Sequence, residues 1–169
     1  MTRPAVSPSD LDPTAAAEHT LLTARLVSAP PLEVYAAFVA PERLARWWGP
    51  KDFRNTFQVC EPRPGGTWRY VMHGPNGGNY PNQSVFDALV PGERVVIRHV
   101  SGPRFTLTVT LAAEGPGTRV TWRQSFESAA EFEAVRGYAA PANEENLDRL
   151  EAEVARARAA GVGEAAGRG

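Results

Sequence analysis

Three histidines, one cysteine and a few polar residues phased with apolar strand positions are the groups of this sequence that could carry chemistry. His19, His73 and His99 lie far apart, and none has a His, Cys or acid partner at metal-ligand spacing; no metal site and no cofactor are expected. His99 alternates with Val95 and Ile97, which points its ring to an enclosed side. There it serves either a reaction or the hydrogen bonding of a strand end. Asp87 shares the parity of Val85 and Leu89: facing inward it would be a general base with a raised pKa, whereas a local bulge would turn it outward. Gln124, between Trp122 and Phe126, either orients a polar group of a ligand or satisfies a backbone amide. Cys60 has no His or Asn beside it and reads as a small buried residue. Gly65-Gly66 lacks the lysine and helix start of a phosphate loop, and Gly77-Gly78 sits in a turn; neither supports nucleotide binding.

A second group of residues suits binding better than catalysis. Trp68, Tyr70, Tyr80, Phe105, Trp122, Phe132 and Tyr138 either fill a core or line a cavity for an apolar or aromatic molecule. The candidate lining is Trp48, Trp68, Tyr70, Met72, Val85, Asp87, His99, Phe105, Trp122, Gln124, Phe132 and Tyr138. Trp47 and Trp48, closed by Gly49-Pro50, read as a structural pair at a helix end, one buried and one at the pocket rim.

Positioning these residues requires a sheet and a cover. Residues 20–27 read as a strand ended by Pro30-Pro31, and two short helices follow over 31–39 and 41–48. From Phe53 to Phe126 short β-rich runs alternate with Gly, Pro and Asn turns, predicting strands at 54–61, 66–73, 82–90, 93–100, 104–113 and 118–126. Alternation gives the buried faces: Phe57 and Val59; Trp68, Tyr70 and Met72; Val85 and Leu89; Val95 and Ile97; Leu107, Val109 and Leu111; Val120, Trp122 and Phe126. Arg69 and Arg123 have the opposite parity and face solvent. Ser128 to Glu131 has capping-box spacing. Gly137 and Pro141 predict a break or kink before a final helix over about 142–159, with Leu147, Leu150 and Val154 as its apolar stripe and Glu151, Glu153, Arg156 and Arg158 solvated. The expected organisation is a flexible arm over 1–18, one domain over 19–159 and a flexible tail over 160–169.

Composition narrows the classes. With 18 basic and 19 acidic residues in 169, no global field points to nucleic acid or an anionic membrane. No apolar run reaches the roughly 18 residues of a membrane span, and residues 1–8 lack a signal peptide's apolar segment. A single cysteine fits a reducing compartment, so a cytoplasmic location is expected.

The segments Ala29–Phe38, Pro41–Pro50, Cys60–Met72, Gly117–Trp122 and Asn146–Leu150 together resemble the START-like, or helix-grip, superfamily, also called SRPBCC. Within it they resemble the group named for activators of the heat-shock protein ATPase, over roughly residues 20–158. The sequence departs from that pattern at Gly137-Tyr138, where Gly-Trp is usual, and in the tight Ser101-Gly102-Pro103 connection. The resemblance implies an α+β helix-grip fold: a curved antiparallel sheet of about seven strands, two short helices after the first, and a long C-terminal helix across the sheet. It further implies a cavity between sheet and helix, and with the aromatic set this makes binding of a small hydrophobic molecule the leading expectation. A cyclase or dehydratase acting on an aromatic polyketide-like substrate through Asp87, His99 or Gln124 is the alternative, and requires two of these to converge. A chaperone-associated stress-response factor is the third reading, and homodimerisation is left open.

Overall fold

The computed structural model describes residues 19–167, so the arm expected over 1–18 lies outside the described residues. Seven strands follow in one antiparallel sheet: β1 (Thr20–Val27), β2 (Arg54–Cys60), β3 (Thr67–His73), β4 (Asn79–Val90), β5 (Arg94–His99), β6 (Phe105–Glu114) and β7 (Gly117–Phe126). Their spatial order is β1-β7-β6-β5-β4-β3-β2, a meander in which β1 returns to pair with the last strand. Two helices, α1 (Pro31–Val39) and α2 (Pro41–Trp47), join β1 to β2, and α3 (Ala129–Gly167) covers one face. In both short helices proline occupies the first turn, where its missing N–H has no intrahelical acceptor to lose.

The strand register arranges the enclosed face in rows. Cys60, Trp68, Ser84, His99, Phe105 and Phe126 are successive cross-strand partners along one of them. Such direct partners stand about 5 Å apart at Cβ, so each row acts as one packed unit. The alternation read from sequence places the inward residues of β3, β5, β6 and β7 correctly. It misplaces β4. A bulge between Phe86 and Ala88 sends Ser84, Phe86 and Leu89 inward and leaves Val85 and Asp87 on the outer face. A bulge between Phe57 and Val59 likewise makes Cys60, not Val59, the partner of Trp68.

The C-terminal helix also departs from expectation, because Gly137 and Pro141 do not break it. Val135, Ala139, Asn143, Asn146, Leu147, Leu150 and Val154 form one buried stripe in phase across both residues. The carbonyl four residues before Pro141 is that of Gly137, on the exposed side of the helix, where a carbonyl without its helical donor is open to solvent. The capping box forms as read: Glu131 N–H donates to Ser128 Oγ at 3.1 Å. Glu153, expected in solvent, is buried between Arg46 Nη1 at 3.1 Å and Arg156 Nε, with Arg43 Nε 3.9 Å away. No helix among the described residues is long and apolar enough to cross a membrane.

Candidate functional site

The interior between sheet and α3 begins with the tryptophan pair. Trp47 ends α2, where its indole donates to Ala37 O at 2.8 Å and its ring meets Phe38 edge-on at 4.9 Å. Trp48, the extended residue that caps α2, keeps its ring against Trp47 at 5.7 Å. Its ring inserts between Trp68 at 4.8 Å and Trp122 at 5.9 Å. Both members are buried, so the rim position expected for one is not found. Their segment is clamped by the closing helix. Asn146 accepts from Gly49 N–H and donates to Trp47 O, while Arg149 donates to the carbonyls of Arg46, Trp48, Gly49 and Pro50.

Around Trp48 the aromatic floor is continuous. Trp68 stacks on Tyr70 at 4.2 Å and on Phe86 at 5.7 Å, and Phe57 packs edge-on against Trp68 at 5.5 Å. These rings belong to a large apolar cluster that also holds Ile97, Leu107, Leu147 and Leu150. A smaller cluster of Phe126, Val135 and Ala139 lies toward the start of α3, with Leu21 and Phe132 against it. Phe105 packs on both clusters.

Polar groups gather where the two clusters meet. His99 is 3% exposed and stacks on Phe105 at 4.6 Å. Its Nδ1 meets Pro103 O at 2.7 Å, and its Nε2 faces the Asn82 side-chain amide at 2.7 Å. Burial lowers its pKa, partly offset by the carbonyl partners, and so favours the neutral imidazole. Gln124 accepts from Asn143 of α3 at 3.0 Å. The buried Tyr70 phenol is raised above its usual range by desolvation, moderated by the nearby Trp48 and Ser84 side chains. Three buried polar atoms on this face have no hydrogen-bond partner among the described residues: Trp68 Nε1, Trp122 Nε1 and Ser84 Oγ, the last near Tyr70 but outside hydrogen-bonding geometry.

Of the twelve residues expected to line a cavity, Trp48, Trp68, Tyr70, Met72, His99, Phe105, Trp122, Gln124 and Phe132 lie on the enclosed side. Val85, Asp87 and Tyr138 do not. The bulge turns Val85 and Asp87 outward, where Asp87 pairs with Arg98 at 3.0 Å, and Tyr138 is 64% exposed on the far side of α3. The alternation therefore misses Ser84, which takes the inward place given to Val85, and Asn143, whose helical spacing from Ala139 and Leu147 puts it on the buried stripe. Asp87, His99 and Gln124 have separate partners and share no hydrogen bond, so the convergence an acid–base enzyme needs is not met. Cys60 is half-buried and its thiol is pushed up to about 11 by burial, which keeps it protonated and unreactive near neutral pH.

A family model described as activator of Hsp90 ATPase homolog 1-like protein matches residues 28–155. No curated protein matches the chain. Among solved structures, a protein from Nitrosomonas europaea is 23% identical, with a TM-score of 0.77 over 85% of this chain and 98% of that one. One from Chromobacterium violaceum is 27% identical, with a TM-score of 0.72 over 79% and 95%. An AHSA1-like protein from Aeromonas hydrophila is 21% identical, with a TM-score of 0.63 over 82% and 93%. The family match spans both short helices, six of the seven strands and the buried part of α3, and those elements are the ones that build the aromatic interior. This chain belongs to the activator of Hsp90 ATPase homolog 1-like family, and its fold is the helix-grip fold of the START-like superfamily.

Proposed function

We propose that this protein binds a small, largely apolar molecule bearing a hydrogen-bond acceptor, held on the aromatic floor beneath α3. The observation that carries the reading is the set of orphaned polar atoms, Trp68 Nε1, Trp122 Nε1 and Ser84 Oγ, all buried on one face. Native interiors leave few such groups, and each costs about 1–3 kcal/mol when dry. An indole N–H is a donor only, so what completes this face is an acceptor within an otherwise apolar body. Rings at 4.2–5.9 Å from one another fill the centre, so the ligand's entry displaces the Trp48 ring or the Phe105–Phe132 end of the interior. The separate partners of Asp87, His99 and Gln124 favour binding over catalysis, and the chaperone-associated reading rests on the family description alone.

The test is a titration with 1-naphthol, an aromatic body with one oxygen, against naphthalene as the analogue without it. Tryptophan emission is expected to change saturably with 1-naphthol, and more weakly with naphthalene. Emission that stays flat with both, up to their solubility limits, overturns the reading.

A further inference from the structure

The two edges of the sheet are protected differently. β2 carries a bulge, and its Asn55 side chain ties it to the carbonyls of Ala45 and Trp48 near the end of α2. β1 carries no bulge: its eight pairs with β7 run without a register shift, it contains neither proline nor lysine, and its ties to α3, from Thr23 and Arg25, are side-chain bonds on the inner face that leave the edge backbone open. The hydrogen bond from Phe126 N–H to His19 O sets the phase of the ladder. Odd-numbered residues of β1 therefore bond to β7, and Leu22, Ala24 and Leu26 aim their N–H and C=O groups off the sheet. The same residues present an apolar outer face, with Leu22 66% and Leu26 45% exposed.

Two concavities follow this edge on its inner side, between β1 and α3. One of about 310 Å³ lies between Leu21–Thr23 and Ala140–Glu144, the other of about 420 Å³ between Val27–Ser28 and Asp148–Ala155. Between them Arg25 reaches across to Glu144, Asp148 and Glu151 at 2.8–3.1 Å, and three carboxylates around one guanidinium leave two negative charges uncompensated. The concavities lie five to six residues apart along β1, roughly 19 Å, close to the distance of about 20 Å between inward side chains six residues apart on an added strand.

We infer that β1 accepts an extended segment of a partner protein as an eighth strand, with apolar side chains beside Leu22 and Leu26 alternating with lysine or arginine in the acidic concavities. Main-chain bonds to residues 22, 24 and 26 supply the docking, and the alternate pockets supply the selectivity. Charge decides the occupant: a second copy paired through the same edge would bring two acidic α3 faces together, whereas a basic segment is attracted to them.

The experiment is fluorescence anisotropy on the full chain with a labelled peptide of about nine residues alternating valine and lysine, a usual strand length. Its controls are the same peptide with glutamate in place of lysine, and one with alternate amides N-methylated. Saturable binding of the lysine peptide is expected, with the other two weaker by at least about tenfold. Ala24→Pro removes an outward N–H without touching the β1–β7 ladder, and is expected to reduce binding by a similar factor while the Tm stays within a few degrees. Equal affinity for the lysine and glutamate peptides, no loss on N-methylation, or a concentration-dependent dimer that excludes the peptide would each overturn the proposal.

Discussion

Replacing Ser84 by alanine separates a dry, orphaned hydroxyl from one with a hidden partner. Ser84 lies on β4 between Trp68 of β3 and His99 of β5, is 1% exposed, and its Oγ has no hydrogen-bond partner. A buried hydroxyl in that state costs about 1–3 kcal/mol, and removing it leaves too little space to count as a cavity. Alanine is slightly poorer than serine in a strand, by a few tenths of a kcal/mol at most. The net expectation is about 1 kcal/mol of stabilisation for Ser84→Ala, or a Tm higher by roughly 2–4 °C in a chain of this size. Calorimetric melting of both proteins in the same buffer reads it. The same substitution is expected to weaken 1-naphthol binding about fivefold, because the hydroxyl is one of the groups a ligand satisfies. Stability rising while affinity falls is the signature. A Tm lowered by several degrees would show instead that the hydroxyl is already paired inside the fold.

Further consequences are open to direct measurement. Glu153→Ala leaves Arg43, Arg46 and Arg156 without their shared carboxylate; Arg46 and Arg156 are half exposed and regain water, so the expected cost in denaturant unfolding is about 1–2 kcal/mol. Burial opposes the charge on Glu153, but the arginines outweigh it and hold its pKa below the usual range. Its contribution is therefore present at neutral pH and lost as pH falls through that lowered value, giving steep acid unfolding that the alanine variant lacks. For His99 the folded pKa is also lowered, so the unfolded chain takes up the proton first. Stability is fully present above about pH 6.5 and declines below it, a slope that His99→Gln is expected to flatten in melts between about pH 5 and 8. Gly66→Ala would place a Cβ 1.9 Å from Glu61 O, a backbone atom in a bonded turn, and is expected to lose at least about 2 kcal/mol in the same unfolding assay.

Much of this architecture is legible in the residues because local signals and packing agree. Pro31 and Pro41 start helices, Gly-rich turns separate strands, and Trp68, Tyr70 and Met72 keep a strict period of two. The failures have particular causes. A bulge shifts parity without leaving a mark in composition, so Val85 and Asp87 took the inward places that belong to Ser84 and Phe86. Pro141 has a strong local meaning, but the stripe from Val135 to Val154 stays in register through it, and tertiary packing prevails over propensity. Glu153 looked solvated because its partners Arg43 and Arg46 lie more than a hundred residues away in the chain. The orphaned indoles are the least legible of all, since the absence of a partner is a property of the assembled interior.

The indole N–H groups report on whether an acceptor enters the buried aromatic face. Proton–nitrogen NMR resolves one indole resonance for each of the four tryptophans. Trp47 already donates to Ala37 O, whereas Trp68 and Trp122 have no acceptor among the described residues. On addition of 1-naphthol the Trp68 and Trp122 resonances are expected to move downfield and saturate, with Trp47, already bonded to Ala37 O, shifting least. Resonances of Trp68 and Trp122 that remain fixed while the compound is in excess would contradict the account.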